Sequence, residues 1–341
     1  MIPRLLIWAV TLLSAIVAFR ERARLAPWVE RARRLPLPVW RTPSRVSAVR
    51  AGGAVKSRAV QFEVRERIAL PSASPVVALA ESRLVEGATL LYAGTFDDGV
   101  FRVLGEERTA LAVDARVNGL ALDEQGTLVV ATNGGAFTVD HGESTRIASG
   151  AFSDVTLWRG HAWLSSRRGL STVTDQGLWT RGPAQGITAD QPGALADCGA
   201  VLCIGASDGL WTFDGERASH HSSASGELPA DWVTAAVRDG AGVWAGTFDG
   251  GLARLGRADV ARHYAPADGL PDGHVAPHAL ASVSGAIYAG TPSGLVVIWG
   301  DTVSLLSSGE LGEGVTAVIP AARGGLWVGG RGTVTRIEVS P

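Results

Sequence analysis

The amino-acid sequence predicts an all-β chain folded as a seven-bladed β-propeller of four-stranded blades, and three observations support this. A short apolar strand followed by a turn rich in Gly and Asp recurs seven times. Successive copies are 34 to 44 residues apart, a period typical of propeller blades, and no 3.6-residue pattern of a helical repeat accompanies it. The 43 glycines and 16 prolines among 341 residues indicate many turns rather than long helices.

The copies align on one small residue that follows the apolar strand. These residues are Gly94, Ala131, Ser165, Gly205, Gly246, Gly290 and Gly329. Two positions earlier stand Tyr92, Val129, Trp163, Cys203, Trp244, Tyr288 and Trp327, of which five are aromatic. Sheets that stack face to face lie about 10 Å apart and need bulky side chains between them. We therefore expect these residues to pack between adjacent blades and not to bind a ligand.

Each copy divides into four short strands joined by turns. In the fifth copy we predict strands at 233–238, 243–247, 252–255 and 260–264, with Asp-Gly sequences in the turns between them. The seventh copy has only three strands, the last at 334–339, whereas residues 60–65 near the start alternate as a strand without a partner. We expect this N-terminal strand to complete the last blade, because an unpaired sheet edge is a liability in a closed ring.

The first nineteen residues are predicted to form a short apolar helix. Residues 5–19 carry no charge and are mostly apolar, but the run is shorter than the roughly 20 residues that a spanning helix needs. It therefore fits either a secretory signal sequence with cleavage after Ala18 or a membrane anchor. The arginines that follow favour retention on the cytoplasmic side. The two cues conflict, so the sequence leaves open both cleavage and the side of the membrane, although we expect an exported propeller.

Charge divides the chain into a basic linker and an acidic propeller. Residues 20–58 contain ten Arg and Lys56 against two Glu, together with four prolines, and we expect a linker that an anionic membrane attracts. Its first part, 20–34, is either an amphipathic helix with Leu25, Trp28 and Val29 toward lipid or a disordered tail. Residues 59–341 contain 19 Arg and 31 acidic residues, which excludes a nucleic-acid-binding face of the usual basic kind.

Cys198 and Cys203 are the only cysteines, and they lie near one hairpin. Two cysteines do not make a disulfide framework or a zinc site. A disulfide across the hairpin is allowed, but nothing in the spacing requires it. We expect buried free thiols.

Two stretches of the repeats resemble a known family. Residues 228–235 (LPADWVTA) lead to 242–247 (GVWAGT), and residues 269–275 (GLPDGHV) precede 288–291 (YAGT). These stretches closely resemble the two-component regulator propeller repeat, and the likeness covers residues 60–339, more weakly in copies two to four. The resemblance implies a ligand-sensing propeller outside the cytoplasmic membrane, joined to a histidine kinase or a diguanylate cyclase. The sequence ends after the propeller, so we expect any signalling to act through a separate partner protein.

In a propeller, the loops entering each first strand and the turns between second and third strands lie on one face, around the central channel. The candidate ligand-binding residues on this face are Asp97, Arg116, Asn118, Asn133, Arg167, Arg168, Asp208, Trp232, Phe248, Asp249, His274 and Arg331. Mixed charge with a few aromatic rings fits a saccharide, another small polar ligand or a protein surface. Most of these residues also suit hairpin turns that bind nothing.

No nucleophile elbow, phosphate loop or paired metal motif is present in the sequence, and we expect no cofactor and no enzymatic activity. His220 and His221 point to opposite faces of a predicted strand, which argues against a joint metal site. The predicted function is therefore a ligand-sensing or ligand-binding propeller, with a protein-interaction scaffold at the membrane as the alternative. A propeller lyase or hydrolase is a further alternative, which requires His274 or His278 to face an acidic residue of a neighbouring blade.

Overall fold

The computed structural model describes residues 60–82, 89–114, 116–174, 177–181, 186–240, 242–256, 262–300, 302–307, 311 and 314–340. The predicted N-terminal apolar helix at 1–19 and the basic linker at 20–58 lie outside the described residues. Across the described ranges, the structure has no helix that is both long enough and apolar enough to cross a bilayer.

Twenty-eight strands within the described residues form seven antiparallel sheets of four strands, and each sheet is one blade. First strands of adjacent blades contact each other, so they line the centre of the ring. The predicted all-β, seven-bladed propeller of four-stranded blades is confirmed.

Blades 1 to 4 each use four consecutive strands. Blade 1 comprises β2 (Val76–Ser82), β3 (Leu90–Thr95), β4 (Val100–Leu104) and β5 (Glu107–Ala110). Blade 2 comprises β6 (Val117–Leu122), β7 (Leu128–Thr132), β8 (Gly135–Asp140) and β9 (Glu143–Ser149). Blade 3 comprises β10 (Asp154–Trp158), β11 (His161–Ser166), β12 (Gly169–Thr174) and β13 (Gly177–Arg181). Blade 4 comprises β14 (Leu195–Asp197), β15 (Leu202–Ala206), β16 (Gly209–Phe213) and β17 (Ala218–His221).

The remaining blades follow the same order, except that the last one also takes the first strand of the described chain. Blade 5 comprises β18 (Val233–Asp239), β19 (Gly242–Thr247), β20 (Leu252–Leu255) and β21 (Arg262–Tyr264). A short 3-10 helix, Pro266–Asp268, precedes blade 6, which comprises β22 (Leu280–Val283), β23 (Ala286–Thr291), β24 (Gly294–Trp299) and β25 (Thr302–Ser307). Blade 7 comprises β26 (Ala317–Pro320), β27 (Leu326–Gly329), β28 (Thr333–Ser340) and β1 (Gln61–Ala69).

The outer strand pair of blade 7 joins the two ends of the described chain. β1 runs antiparallel to β28, from Gln61 opposite Ser340 to Ala69 opposite Thr333, with one bulge near Arg65. Beyond the strand, the Leu70 amide donates a hydrogen bond to the Gly332 carbonyl at 2.9 Å. One sheet therefore contains residues from both ends of the propeller.

Among the described residues, the hydrophobic core consists of seven clusters, one for each pair of adjacent blades. Trp244 of blade 5 packs with Ile287 and Val296 of blade 6, and Trp327 of blade 7 packs with Val76 of blade 1. The seven residues aligned with Trp244 along the repeats are all buried, with 6% or less of each exposed. Their predicted role in packing between blades is confirmed.

The recurring Gly-Thr pair has two separate physical roles. A Cβ atom at Gly246 would overlap Val275, which enters blade 6, so this glycine lets the next blade approach closely. The neighbouring Thr247 hydroxyl donates to the Gly251 carbonyl at 2.9 Å and accepts from the Gly250 amide at 3.0 Å. The same threonine bonds close the corresponding turns after Thr95 and Thr132. The threonine therefore holds the turn between the second and third strands of a blade.

The two cysteines form a disulfide, Cys198–Cys203, so the prediction of free thiols is wrong. Cys198 lies just beyond β14 and Cys203 lies within β15, and the Cys198 amide bonds to the Val201 carbonyl in the turn. The hairpin places the two Cα atoms 5.9 Å apart, a separation that a disulfide spans. The sequence spacing alone could not show that both side chains point to the same side of this turn.

The turn role of Thr247 predicts a loss of stability for Thr247→Val, which removes the hydroxyl while keeping the shape. We expect the free energy of unfolding to fall by about 1 to 3 kcal/mol, because the half-buried Gly250 amide loses its partner. Thr335 is a matched control, since it is equally buried and its hydroxyl has no hydrogen-bond partner among the described residues. Thr335→Val should leave stability unchanged or raise it, as measured by urea unfolding. Equal losses in both variants would contradict the proposed role of the Thr247 hydroxyl.

Candidate ligand-binding face

The loops that enter the first strands and the turns between second and third strands share one face, here called the channel face. The Phe248 amide of one such turn donates to the Trp232 carbonyl of the loop entering blade 5, at 2.9 Å. The Phe96 amide donates to the Pro75 carbonyl in blade 1 at 3.0 Å. These bonds bring each turn against the loop of its own blade. Because the blades stand side by side around the ring, the turns and loops of different repeats lie on a common surface.

Three predicted residues form an aromatic cluster at the junction of blades 5 and 6. Trp232 and Phe248 stack with their ring centroids 4.4 Å apart and their planes 17° apart. His274 meets Phe248 nearly at right angles, at 4.8 Å, and its Nδ1 lies 3.0 Å from the Phe248 carbonyl oxygen. The carbonyl can only accept, so Nδ1 carries the proton and Nε2 is left facing away from this bond. Trp232 and Phe248 are nevertheless 53% and 42% exposed.

Carboxylates surround the aromatic cluster. Asp231 accepts from the Ser223 amide and hydroxyl at 2.6 and 2.9 Å. Asp272 accepts from the His274 amide at 2.9 Å and from the Ser293 hydroxyl at 3.1 Å. Asp249, beside Phe248, is exposed, and its side chain makes no hydrogen bond or ion pair within the described part of the chain. Two carboxylates are thus held in place by protein groups and the third is free to contact a ligand.

Blade 1 repeats the Phe-Asp turn of blade 5, but a protein cation covers its ring. The guanidinium carbon of Arg116 lies 4.0 Å above the centroid of Phe96. Arg116 occupies the same place in its loop as His274, since each precedes the valine that packs on the glycine of the previous blade. The predicted residue Arg116 is therefore joined to Phe96, and Asp97 of this turn donates its amide to the Ser74 hydroxyl at 3.0 Å.

A second group of residues meets across the centre of the ring. The Asn118 side-chain amide donates to Asn133 Oδ1 at 2.8 Å and to the Phe152 carbonyl at 2.7 Å. His278, from the loop entering blade 6, reaches the Asn118 carbonyl of blade 2 with its Nε2, at 2.8 Å. The same Nε2 lies 3.4 Å from Asp154 Oδ1 of blade 3. Since the carbonyl accepts, Nε2 carries a proton and His278 ties blade 6 to blades 2 and 3.

Asp154 is only 1% exposed, although a carboxylate at this depth loses its hydration. Its two oxygens accept from the amides of Val155 and Leu195, each at 2.6 Å. Burial raises the pKa of Asp154 from 3.8 to about 6, and the nearby His278 and the two amide bonds oppose that rise. Asp154 and His278 border a cavity of about 260 Å³, which the first strands of all seven blades line.

Asp154 was missed by the sequence prediction, but the repeats contain a signal that identifies it. It occupies the first-strand position next to the aligned small residue of its blade. The corresponding residues in the other blades are Ala78, Gly119, Ala194, Ala235, Ala279 and Ala317. Asp154 is thus recognisable in the sequence as a carboxylate at a position that the other six blades fill with Ala or Gly. Gly119 in the preceding blade makes room for it, because a Cβ there would overlap Asp154 Oδ1.

The remaining predicted residues lie on the channel face without joining the aromatic cluster. Arg167 and Arg168 are exposed in the turn of blade 3, and Arg331 is exposed in that of blade 7. Asp208 accepts from the Asp190 amide at 3.1 Å and from Trp211 Nε1 at 3.2 Å, so it supports its own turn.

His220 and His221 have different partners. His220 stacks on Trp211 at 4.4 Å, whereas His221 Nδ1 lies 2.8 Å from Glu227 Oε1. Their opposite directions follow from the alternation of side chains along a strand.

No protein-family model and no curated protein matches this chain. Solved structures do match it. The extracellular domain of a proposed hybrid two-component system from B. thetaiotaomicron is 13% identical, with a TM-score of 0.61, over 77% of this chain and 40% of that one. The extracellular domain of a second such system from the same organism is 11% identical, with a TM-score of 0.62, over 84% of this chain and 43% of that one.

Virginiamycin B lyase from Staphylococcus aureus, crystallised in a catalytically inactive form with quinupristin, also matches. It is 12% identical, with a TM-score of 0.65, over 82% of this chain and 99% of the lyase.

These structures share the propeller fold with this chain. The resemblance to two-component regulator propellers is thus confirmed at the level of the fold. The chain spans about two fifths of the length of the two-component-system domains that it matches. Both a two-component-system domain and a lyase have this fold, so the function has to be argued from this chain's own residues.

The fit between Gly119 and Asp154 predicts coupled effects on stability. We expect Gly119→Ala to destabilise the propeller by about 1 to 3 kcal/mol, because the new methyl group overlaps a buried carboxylate and the Val155 amide. In an Asp154→Ala background the same change should cost less, since the carboxylate is gone and other blades have Ala at both positions. Urea unfolding of the two single variants and the double variant measures this coupling. Additive losses would show that Gly119 serves a different purpose.

The raised pKa of Asp154 predicts a pH-dependent stability. Because the folded chain holds this proton more tightly than the unfolded chain, the contribution is complete below about pH 4 and is lost as the pH rises through about 6. A shift of about 2 pKa units corresponds to about 3 kcal/mol. The unfolding free energy of the wild type should therefore fall by about this amount relative to Asp154→Asn between pH 4 and pH 7. A constant difference between the two proteins over this range would contradict the prediction.

Proposed function

We propose that this chain is a non-enzymatic, ligand-binding sensor propeller and that its ligand binds at the aromatic cluster of Trp232, Phe248 and His274. The observation that carries the proposal is a stacked pair of aromatic rings that remains about half exposed. Rings in this state offer a flat, ordered apolar surface at no further cost in side-chain entropy. A saccharide or another small polar molecule with a flat apolar side fits this surface, with Asp249 and His274 Nε2 as polar contacts.

We further propose that the propeller lies outside the cytoplasm and is held at the membrane by residues 1–58. The Cys198–Cys203 disulfide supports this location, because disulfides persist in oxidising compartments. The two matching domains from B. thetaiotaomicron are described as extracellular, which supports the same location. The ligand-dependent signal then passes to a separate partner protein, in keeping with the resemblance to two-component regulator propellers.

A protein-interaction scaffold is the second candidate, and the exposed aromatic pair is also the observation that favours it. Stable protein interfaces bury about 1,200 to 2,000 Å² in total, with an apolar centre. Two rings supply only a small part of such an area, and the residues beside them are carboxylates. A small ligand therefore accounts for this surface better than a protein partner does.

A lyase or hydrolase is the third candidate, favoured by His278 facing Asp154 of another blade and by the match to a propeller lyase. However, Nε2 of His278 is occupied by the Asn118 carbonyl, and both oxygens of the buried Asp154 are occupied by backbone amides. A general base must be free to reach its substrate. The pair is accordingly assigned a structural role across the channel.

The proposal is tested by a thermal-shift screen against mono- and oligosaccharides, followed by calorimetric titration of each compound that raises the melting temperature. We expect Trp232→Ala to weaken binding about five- to 150-fold, since stacking of a flat group on an aromatic ring contributes roughly 1 to 3 kcal/mol. Trp179→Ala is the matched control, because Trp179 is 58% exposed but lies in the outer strand of blade 3.

Binding that survives in Trp232→Ala, or no shift across the whole panel, would contradict the proposed site. Turnover of a bound compound that disappears in His278→Ala would favour the lyase candidate instead.

A further inference from the structure

We propose that the aromatic cluster takes a positively charged ligand, whose organic ammonium group lies over the open face of Trp232. This inference deepens the proposed function and rests on the cluster being a ligand site. It concerns the charge of the ligand, which the exposed rings by themselves do not determine, since a flat apolar surface binds neutral sugars as well as cations.

The first support is the charge of the surrounding loops. The segments that build this sector of the channel face are residues 222–232, 248–251, 265–279 and 292–293, and they contain no Lys or Arg. They carry five carboxylates, namely Glu227, Asp231, Asp249, Asp268 and Asp272, of which Glu227 lies 2.8 Å from His221 Nδ1. A surface cleft lined by charge of one sign attracts ligands of the opposite sign. A negatively charged ligand would meet repulsion from these carboxylates, and the four segments supply no Lys or Arg to offset it.

The second support is the comparison between equivalent places in two blades. In blade 1, Phe96 of the Phe-Asp turn has the guanidinium of Arg116 above its ring, 4.0 Å from the centroid. At the junction of blades 5 and 6, the Phe-Asp turn is repeated, but His274 takes the place of Arg116 and Trp232 takes that of Pro75. The same framework therefore holds a cation of its own at one place. At the other it has a larger aromatic surface and no Lys or Arg in the surrounding loops.

The third support is the geometry of the rings. Phe248 covers one face of Trp232, yet more than half of Trp232 is exposed, so its other face is open to a ligand. Indole attracts cations more strongly than phenyl or phenol rings do, because of the negative potential above its face. The exposed carboxylate of Asp249 follows Phe248 in the chain, and His274 contacts the Phe248 ring. Both groups are next to the ring pair, and the charge of the carboxylate attracts an ammonium group.

The test uses two probes of the same shape, choline and its uncharged isostere 3,3-dimethylbutanol, with glucose as a neutral sugar. The full chain, labelled with ¹⁵N and held in a neutral detergent, gives indole N–H signals from its 11 tryptophans. The Trp232 signal is assigned by its loss in Trp232→Phe, and titration of that signal gives the dissociation constant. We expect choline to bind about tenfold more tightly than its isostere, and binding to weaken as salt is added.

Two carboxylate variants sharpen the test. Asp249→Asn should weaken choline binding about two- to fivefold, as expected for one exposed charge. Glu124→Gln is the matched control, because Glu124 is exposed in the turn between the first and second strands of blade 2, away from the channel face. It should leave the dissociation constant for choline unchanged.

The outcomes separate this inference from the proposed function. If the isostere or glucose moves the Trp232 signal as strongly as choline does, the inference is overturned while the site itself stands. If choline has no effect but a compound from the saccharide screen moves the signal, the same conclusion follows. If no probe and no screened compound moves the Trp232 signal, both the inference and the proposed function fail.

Discussion

The propeller depends on one contact that is repeated around the ring, the close approach of each blade to the next at a small residue of the second strand. Gly94 makes room for Val117, Gly246 for Val275, and Gly329 for Val76 across the closing interface. Because a side chain at any of these glycines would overlap the neighbouring blade, the spacing of the whole ring rests on them. The large residue two positions earlier in the same strand then fills the space between the two blades, as Trp244 and Trp327 do.

Because other residues hold the fold together, the residues of the channel face can differ from blade to blade. The second strands supply the packing, and the Gly-Thr pair holds the turns through hydrogen bonds of the threonine hydroxyl. The residues that follow the threonine contribute little to the core, so they differ from blade to blade without loss of fold. The same turn therefore has two different surroundings. In blade 1 the guanidinium of Arg116 covers the Phe96 ring, whereas in blade 5 Phe248 stacks on Trp232 and the ring pair is open to solvent.

The centre of the ring departs from the repeat at a single carboxylate. In the other blades the position of Asp154 is occupied by Ala or Gly, and Gly119 of the preceding blade accommodates the larger side chain. Burial makes ionised Asp154 unfavourable, and two short amide bonds with a histidine from across the channel offset this in part. His278, which contributes to this offset, has a left-handed backbone conformation with φ of 55°.

The sequence by itself determined the number of blades, the strand order within the middle blades, and the residues that pack between them. It could do so because these features arise from short patterns repeated seven times, each set by contacts within about 40 residues. The predicted strand boundaries also placed Trp232, Phe248 and His274 on one face of the propeller.

Only the tertiary structure decided that these three rings touch, that Arg116 covers Phe96, and that Cys198 and Cys203 are bonded. It also brought His278 to Asn118, which is 160 positions away. Directions of side chains and contacts across the channel exist only once the ring is closed, and no local pattern encodes them.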